Sequence, residues 1–402
     1  LNIEGMTCSG CSSHIEKDIN KIDGIKNSVV NHDYNNGEFT FDKDKLSKND
    51  VIKAVNTVGN YKVINEKEDC CTTSNSEEIE RKEHKNNYDL IIIGGGSAAF
   101  SAAIKAESLG LSTLMVNGGL DFGGTCVNVG CVPSKHLIRA GESIHKASHS
   151  PFAGITPIAP KVDYGQIIRD KKALVLAMRE KKYLKVAKSV ENVTIVEGWA
   201  NFVNDKTIVV NGKNYTASKF LISTGSTTNI PNIKGLQETG YLTNISLFDL
   251  EDKPESLTIL GAGYIGLEMA QAFSRLGVKV RILEFTDRVL RTQTEDVSKE
   301  LQKQFASEGI EVLPNVRIQK VEKKGETILI HAKDPNGNPI ELIEKGHLVV
   351  ATGTKPNTNK MSIENAGVEI TEKGHIKVNS KQETNVANIY AAGDCTDTPA
   401  FV

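Results

Sequence analysis

No run in this sequence approaches the roughly 18 consecutive apolar residues that a membrane-crossing helix needs, so insertion into a bilayer is not expected. The first residues lack the basic, apolar and small-residue succession of a secretory signal. Neither sign of charge is in excess. With 48 basic and 50 acidic side chains the net charge is −2, which gives no footing for nucleic acid or an anionic surface. Cysteine is also too scarce for a secreted disulfide framework, at seven in 402 residues. The cysteines fall as two close-spaced pairs, one adjacent pair and Cys395 alone, a grouping that suits redox and metal chemistry in a reducing cytosol. A cytoplasmic location is therefore expected. What is present is ordinary globular composition, 39% hydrophobic and 24% charged, and length enough for two or three domains.

The organising stretch runs Gly123-Gly124-Thr125-Cys126-Val127-Asn128-Val129-Gly130-Cys131-Val132-Pro133-Ser134-Lys135. Five residues of ideal helix would rise about 7.5 Å and turn about 140°, too far for sulfur to meet sulfur. Gly124 and Gly130 let the backbone leave that geometry, so Cys126 and Cys131 can approach each other. Pro133 suits the first turn of a following helix. A structural disulfide or two buried thiols would not need this glycine pattern.

Residues 1–65 read as a separate unit. Their order is strand, helix, two strands, helix, strand, the ferredoxin-like βαββαβ plan, with Gly5-Met6-Thr7-Cys8-Ser9-Gly10-Cys11 between the first strand and helix. Two thiolates at a loop-to-helix junction suit soft cations such as Hg(II) or Cu(I). Cys8 and Cys11 are too few ligands for a closed zinc site. A thioredoxin-like CxxC is the rival, disfavoured by the element order. His14 reads as an exposed polar residue and Met6 as packing. This unit resembles the heavy-metal-associated domain, whose GMTCxxC loop it matches across Gly5 to Cys11.

Residues 66–87 are crowded with charge and poor in apolar residues, and read as a flexible tether carrying Cys70-Cys71. From Tyr88 a buried strand opens into Gly94-x-Gly96-x-x-Ala99, followed by a small-residue helix and another strand. A second fingerprint, Gly261-x-Gly263-x-x-Gly266, follows the strand from Leu257. Asn117 and Glu284, at the ribose position of each copy, both lie 23 residues after the first glycine of their motif. Two matched copies argue for two nucleotides. Asn117 replaces the usual acid, and its amide oxygen can still accept a hydrogen bond. A long basic helix, roughly Tyr164 to Lys188, reads as a solvated face.

Taken together, residues 88–402 resemble the pyridine nucleotide-disulfide oxidoreductases, and with the GMTCxxC module the chain resembles their mercury-reducing branch. The fold so implied is α/β, with two Rossmann-like domains plus the ferredoxin-like domain. The flavin domain is discontinuous (88–228 and 356–402) and the nicotinamide domain is inserted (229–355). Implied cofactors are FAD and NADPH, with Hg(II) as substrate metal. The resemblance implies Cys126 as interchange thiol, Cys131 as charge-transfer thiolate, and both as metal ligands alongside Cys8 and Cys11. It pairs Lys135, as a buried ammonium, with Glu268, and sets Tyr264 as a gate. Implied cofactor contacts are Gly94, Gly96, Ala99, Asn117, Gly124, Thr125, Lys135, Thr224, Gly225, Gly261, Gly263, Gly266, Glu284, Gly353 and Asp394.

Glu284 would repel a 2′-phosphate and favours NADH electrostatically, whereas Arg281, Arg288 and Arg291 stand close enough in sequence to counter it. The alternatives are a general disulfide reductase with an appended metal module, and a non-catalytic soft-metal binder. Both ends read as cut. The resemblance implies a further interface domain through which members form homodimers and supply a second cysteine pair. No nucleic acid or membrane partner is expected.

Overall fold

The computed structural model describes residues 2–4, 9–31, 36–42, 45–58, 61–64, 86–150 and 152–398. The chain divides into two compact units, 1–82 and 83–402.

In the smaller unit, β1 (Asn2–Glu4), α1 (Ser9–Ile19), β2 (Ile25–Asn31), β3 (Asn36–Phe41), α2 (Lys48–Thr57) and β4 (Lys62–Ile64) follow in the expected order. The strands form one antiparallel sheet ordered β2-β3-β1-β4. Its apolar face is covered because Ile15 and Ile19 lie one turn apart on α1, and Val51, Ile52 and Val55 recur on α2. Ser47 and Asp50 exchange side-chain and backbone hydrogen bonds at the start of α2, a capping box that fixes where this helix begins. Cys8, Cys70 and Cys71 lie outside the described residues. Cys11 falls within α1, but its side chain lies outside them too.

The larger unit opens with β5 (Asn87–Ile93), one residue inside the expected tether, then α3 (Ser97–Ser108) and β6 (Thr113–Asn117). The cysteine segment forms α4 (Gly124–Asn128) and α5 (Cys131–Ser148). The basic helix is α6 (Tyr164–Arg179), a π turn over Glu180–Leu184, and α7 (Lys185–Ser189). Strands β7 (Val193–Glu197), β8 (Asn201–Asn204), β9 (Thr207–Val210) and β10 (Lys213–Ile222) follow. β7, β6, β5 and β10 run parallel, and the Ile91-Ile92-Ile93 run of β5 is buried on both faces, as a parallel sheet requires.

β11 (Ser226–Thr228), α8 (Asn244–Leu247), β12 (Ser256–Leu260), α9 (Tyr264–Arg275), β13 (Lys279–Leu283), α10 (Glu295–Ser307) and β14 (Glu311–Leu313) come next. An antiparallel meander of β15 (Arg317–Lys324), β16 (Thr327–Lys333) and β17 (Pro339–Glu344) precedes β18 (His347–Val350). β14, β13, β12 and β18 make a second parallel sheet. β19 (Thr354–Pro356) pairs back on β11, and β20 (Ile389–Ala391) then joins the first sheet in parallel beside Phe220–Ile222 of β10. The first sheet is thus built from two separated stretches of chain.

The basic helix departs from expectation at one point. Lys171 is 4% exposed and its ammonium meets Asp249 at 2.9 Å, so it is not part of a solvated face. Tertiary packing against the segment after α8 buries it, which the helix's own charge pattern does not reveal.

Candidate active site

The helix break between α4 and α5 is built by glycine. Gly124 has φ +57°, and a Cβ there would stand 2.8 Å from the Cα of Gly96, so the cysteine segment lies directly against the first dinucleotide turn. Gly130 separates the helices, and Cys131 becomes the first residue of the 18-residue α5, where unpaired N–H groups favour negative charge. Asn128 staples the break. Its amide donates to Asp121 O at 2.8 Å and Gly124 O at 2.9 Å, while its Oδ1 is buried without a hydrogen-bond partner. Asn244 Nδ2 donates to Val129 O at 2.8 Å and ties the segment to α8.

Cys126 and Cys131 are both free thiols, the first half-buried and the second exposed. Burial pushes the Cys126 thiol up to about 11, and its hydrogen bond to Cys131 and the charge of that neighbour add to the rise.

α5 packs on α9, and Gly141 of α5 makes the approach close, with a Cβ there only 3.0 Å from Arg275 Cβ. On α5, Lys135 stands one turn after Cys131; on α9, Glu268 stands one turn after Tyr264. Lys135 Nζ and Glu268 Oε1 meet at 2.6 Å. In the protein alone the two side chains are 56% and 44% exposed. The Tyr264 hydroxyl receives hydrogen bonds from Thr292 and from Gln293, the latter at 2.5 Å, and they hold its ionisation below the usual phenol range.

Beside the cysteine segment lies a cavity of about 630 Å³. Gly94, Gly96, Asn117, Gly124, Thr125, Thr224, Gly225 and Asp394 all line it. Ala99 does not; it is fully buried in the core behind the turn, where a small residue lets α3 sit close to the sheet. Asn117 donates from Nδ2 to Leu120 O at 3.0 Å, leaving Oδ1 over Gly95 as an acceptor. Asp394 accepts from Ser226 Oγ at 3.2 Å. Thr224 buries its hydroxyl oxygen without a hydrogen-bond partner.

These features fit a flavin dinucleotide. The N-terminus of the 12-residue α3 faces the glycine turn, as a pyrophosphate requires. The close approach to Gly96 leaves no room for a side chain at Gly124 on that wall, and acceptor oxygens from Asn117 and Asp394 remain on it.

In the second copy, Gly266 would press a Cβ onto Gly261 O. Glu284 accepts from the Ala262 N–H at 2.6 Å and from the N–H and hydroxyl of Thr286, each at 2.7 Å, so it braces the glycine turn from within. Gly353, with φ +93°, lies between β18 and β19. Arg281 is committed to Glu311 at 2.6 Å, while Arg288 and Arg291 stay near Asp287. Sequence reading missed Asn128 and the π turn. The only signal for the first was an amide residue inside a glycine-bracketed loop.

Two families account for this organisation. Residues 88–402 match the pyridine nucleotide-disulphide oxidoreductase family and residues 1–61 match the heavy-metal-associated domain. The chain belongs to the pyridine nucleotide-disulphide oxidoreductases, a flavin-dependent family, and carries a heavy-metal-associated domain at its amino-terminal side.

Similar proteins include mercuric reductases: that of Lysinibacillus sphaericus is 39% identical over all of this chain and 71% of its own length. Those of Bacillus cereus and Staphylococcus aureus are each 38% identical over all of this chain, across 63% and 71% of their own lengths. Among solved structures, the HOCl-induced flavoprotein disulfide reductase RclA from Escherichia coli superposes with a TM-score of 0.70 at 27% identity. That likeness covers 78% of this chain and 67% of the other. No helix among the described residues is long and apolar enough to cross a membrane.

Proposed function

We propose that this chain reduces Hg(II) to Hg(0) with NADPH, using the Cys126/Cys131 dithiol. The observation that supports this most directly is the pair of free thiols flanking a helix break, in a segment pressed against the wall of a flavin-fitting cavity. FAD, held by the glycine turn, Asn117 and Asp394, would supply two NADPH-derived electrons beside the dithiol. Cys126 and Cys131 ligate Hg(II), because two close sulfurs match a soft cation's preference for sulfur. Each ligating thiol gives up its proton on binding. The metal takes two electrons and leaves as Hg(0), which thiolates hold poorly, and both sulfurs remain reduced.

In this reading Cys131, at the helix start, is the thiolate beside the flavin, and Cys126 exchanges ligands with the incoming metal. Lys135 brings positive charge to the reduced flavin edge, and Glu268 orients it. Tyr264 stands at the nicotinamide side. Glu284 is the ribose partner of the second turn, and Arg288 and Arg291, rather than the committed Arg281, are the cations available to a 2′-phosphate. Cys8 and Cys11 bind Hg(II) as thiolates and hand it on by ligand exchange.

The division into 1–65, a tether 66–87, a flavin domain 88–228 with 356–402, and a nicotinamide domain 229–355 goes with this reading. The β11–β19 ribbon marks both crossings. A homodimer in the cytoplasm belongs to the same proposal.

The test is anaerobic NADPH oxidation with Hg(II) and a small competing thiol, with Hg(0) collected as vapour. Cys126→Ser should keep NADPH-driven flavin reduction and lose mercury release. NADPH consumption that is indifferent to Hg(II) would favour a general disulfide reductase instead.

A further inference from the structure

Basic and acidic side chains are nearly balanced over the chain, 48 against 50, so a local excess of one sign stands out. The stretch from Glu180 to Lys188 holds Lys181, Lys182, Lys185 and Lys188, all exposed, against the single acid Glu180. Earlier on the same helix Lys171 is paired with Asp249 and Lys172 with Glu251. None of the later four has an ion-pair partner among the described residues.

The π turn that carries them is pinned to the cysteine segment. Arg179, just before the turn, pairs with Asp121. Within the turn, a Cβ on Gly123 would stand 3.2 Å from the Tyr183 ring, which also packs edge-on against Phe100 at 4.9 Å. Gly123 lies three residues before Cys126. Lys182 falls between these two anchors. Burial, the largest influence on the Cys126 thiol, raises it, and the positive charge of Lys182 works the other way. A π turn carries one more residue than an α turn, and such turns gather at functional sites.

Unpaired ammonium groups beside an exchange thiol would repel a bare metal cation. They suit a metal that arrives inside an anion. Two thiolates cancel the charge of Hg(II), so a bis-thiolate whose thiols also bear carboxylates is negative overall. We propose that Lys182, with Lys181 and Lys185 beside it, takes the carboxylates of an anionic Hg(II) bis-thiolate and so brings its metal to Cys126. This rests on the mercury reading of the dithiol, which makes no use of the π turn. Ammonium–carboxylate hydrogen bonds hold the complex. Cys126 then gives up its proton and its sulfur bonds to mercury, while one original Hg–S bond breaks and the departing thiolate takes a proton. No electrons move in this step.

The test compares iodoacetate, an anion, with neutral iodoacetamide at Cys126 of the reduced 402-residue chain, resolved by peptide mass. Both reagents need the same thiolate, so their rate ratio cancels any change in ionisation and reads charge. A unit charge about 10 Å away in water favours an approaching anion about twofold. Lys182→Gln should lower the ratio by about that factor, and the triple variant Lys181→Gln, Lys182→Gln, Lys185→Gln by about fivefold at low salt. Lys182→Arg should keep the ratio, and about 1 M salt should erase the differences. In a second arm Hg(II) is offered with mercaptosuccinate, mercaptoethanol or cysteamine, and protection of Cys126 from labelling is timed. Protection should be fastest from mercaptosuccinate and slowest from cysteamine, and the triple variant should lose most of that order. An unchanged ratio in the triple variant, or the same order of donors with and without the lysines, would overturn the proposal. Protection from none of the three would sink the mercury reading itself, and this proposal with it.

Discussion

Cys126 gives a sharp quantitative expectation. Burial, then the hydrogen bond and charge of Cys131, push its thiol up to about 11. At pH 7 such a group is ionised to about one part in ten thousand, against about three parts in a hundred for an ordinary thiol. The thiolate population is therefore about 300-fold smaller. A more basic thiolate is also a better nucleophile, which recovers roughly a factor of ten. The net expectation is labelling roughly 20- to 30-fold slower than a free cysteine. The assay is brief iodoacetamide labelling of the reduced chain between pH 7 and 10.5, with peptide masses resolving each cysteine. Cys126 labelling should climb about tenfold per pH unit without levelling. In Cys131→Ser the midpoint should fall, yet stay above the ordinary value, because burial is the largest cause and survives that change. A plateau below pH 9 in the unaltered chain would refute control by burial. The same proton must leave when Cys126 becomes a mercury ligand, so the affinity of the dithiol for Hg(II) should rise with pH through neutrality.

Three further expectations concern the frame around the site. Asp249→Ala leaves the buried Lys171 ammonium without its partner and should cost about 1–2 kcal/mol in denaturant unfolding, whereas Lys171→Met should be nearly neutral. Burial opposes ionisation of Glu308, but hydrogen bonds from Arg275 and Gln304 outweigh it and hold its carboxyl at about 2. The folded value lies below the ordinary one, so this stabilisation is complete above about 4.5 and is lost as pH falls towards 2; Glu308→Gln should flatten that acid limb of a melting profile. Gly124→Ala places a Cβ against Gly96 at positive φ and should cost at least about 1–2 kcal/mol, with a lowered melting temperature and weaker FAD uptake.

Local chemistry was legible from residue order alone. Each glycine fingerprint is a strand, a turn and a helix within about 30 residues, and turn geometry demands glycine wherever the chain is embedded. The βαββαβ order of the small unit was legible for the same reason, since apolar periodicity is written residue by residue. The cysteine segment showed its helix break through Gly130, although the Gly124 contact with Gly96 is a long-range one. Only tertiary structure decided the rest. Lys135 and Glu268 are 133 positions apart, and their 2.6 Å contact exists because α5 packs on α9. Lys171 looks like any helix lysine until Asp249 comes to meet it. Trp199 becomes a cavity wall only when β7 aligns with β6. Periodicity and turn chemistry act over a few residues, whereas burial and the ionisation of Cys126 depend on which distant segments exclude water.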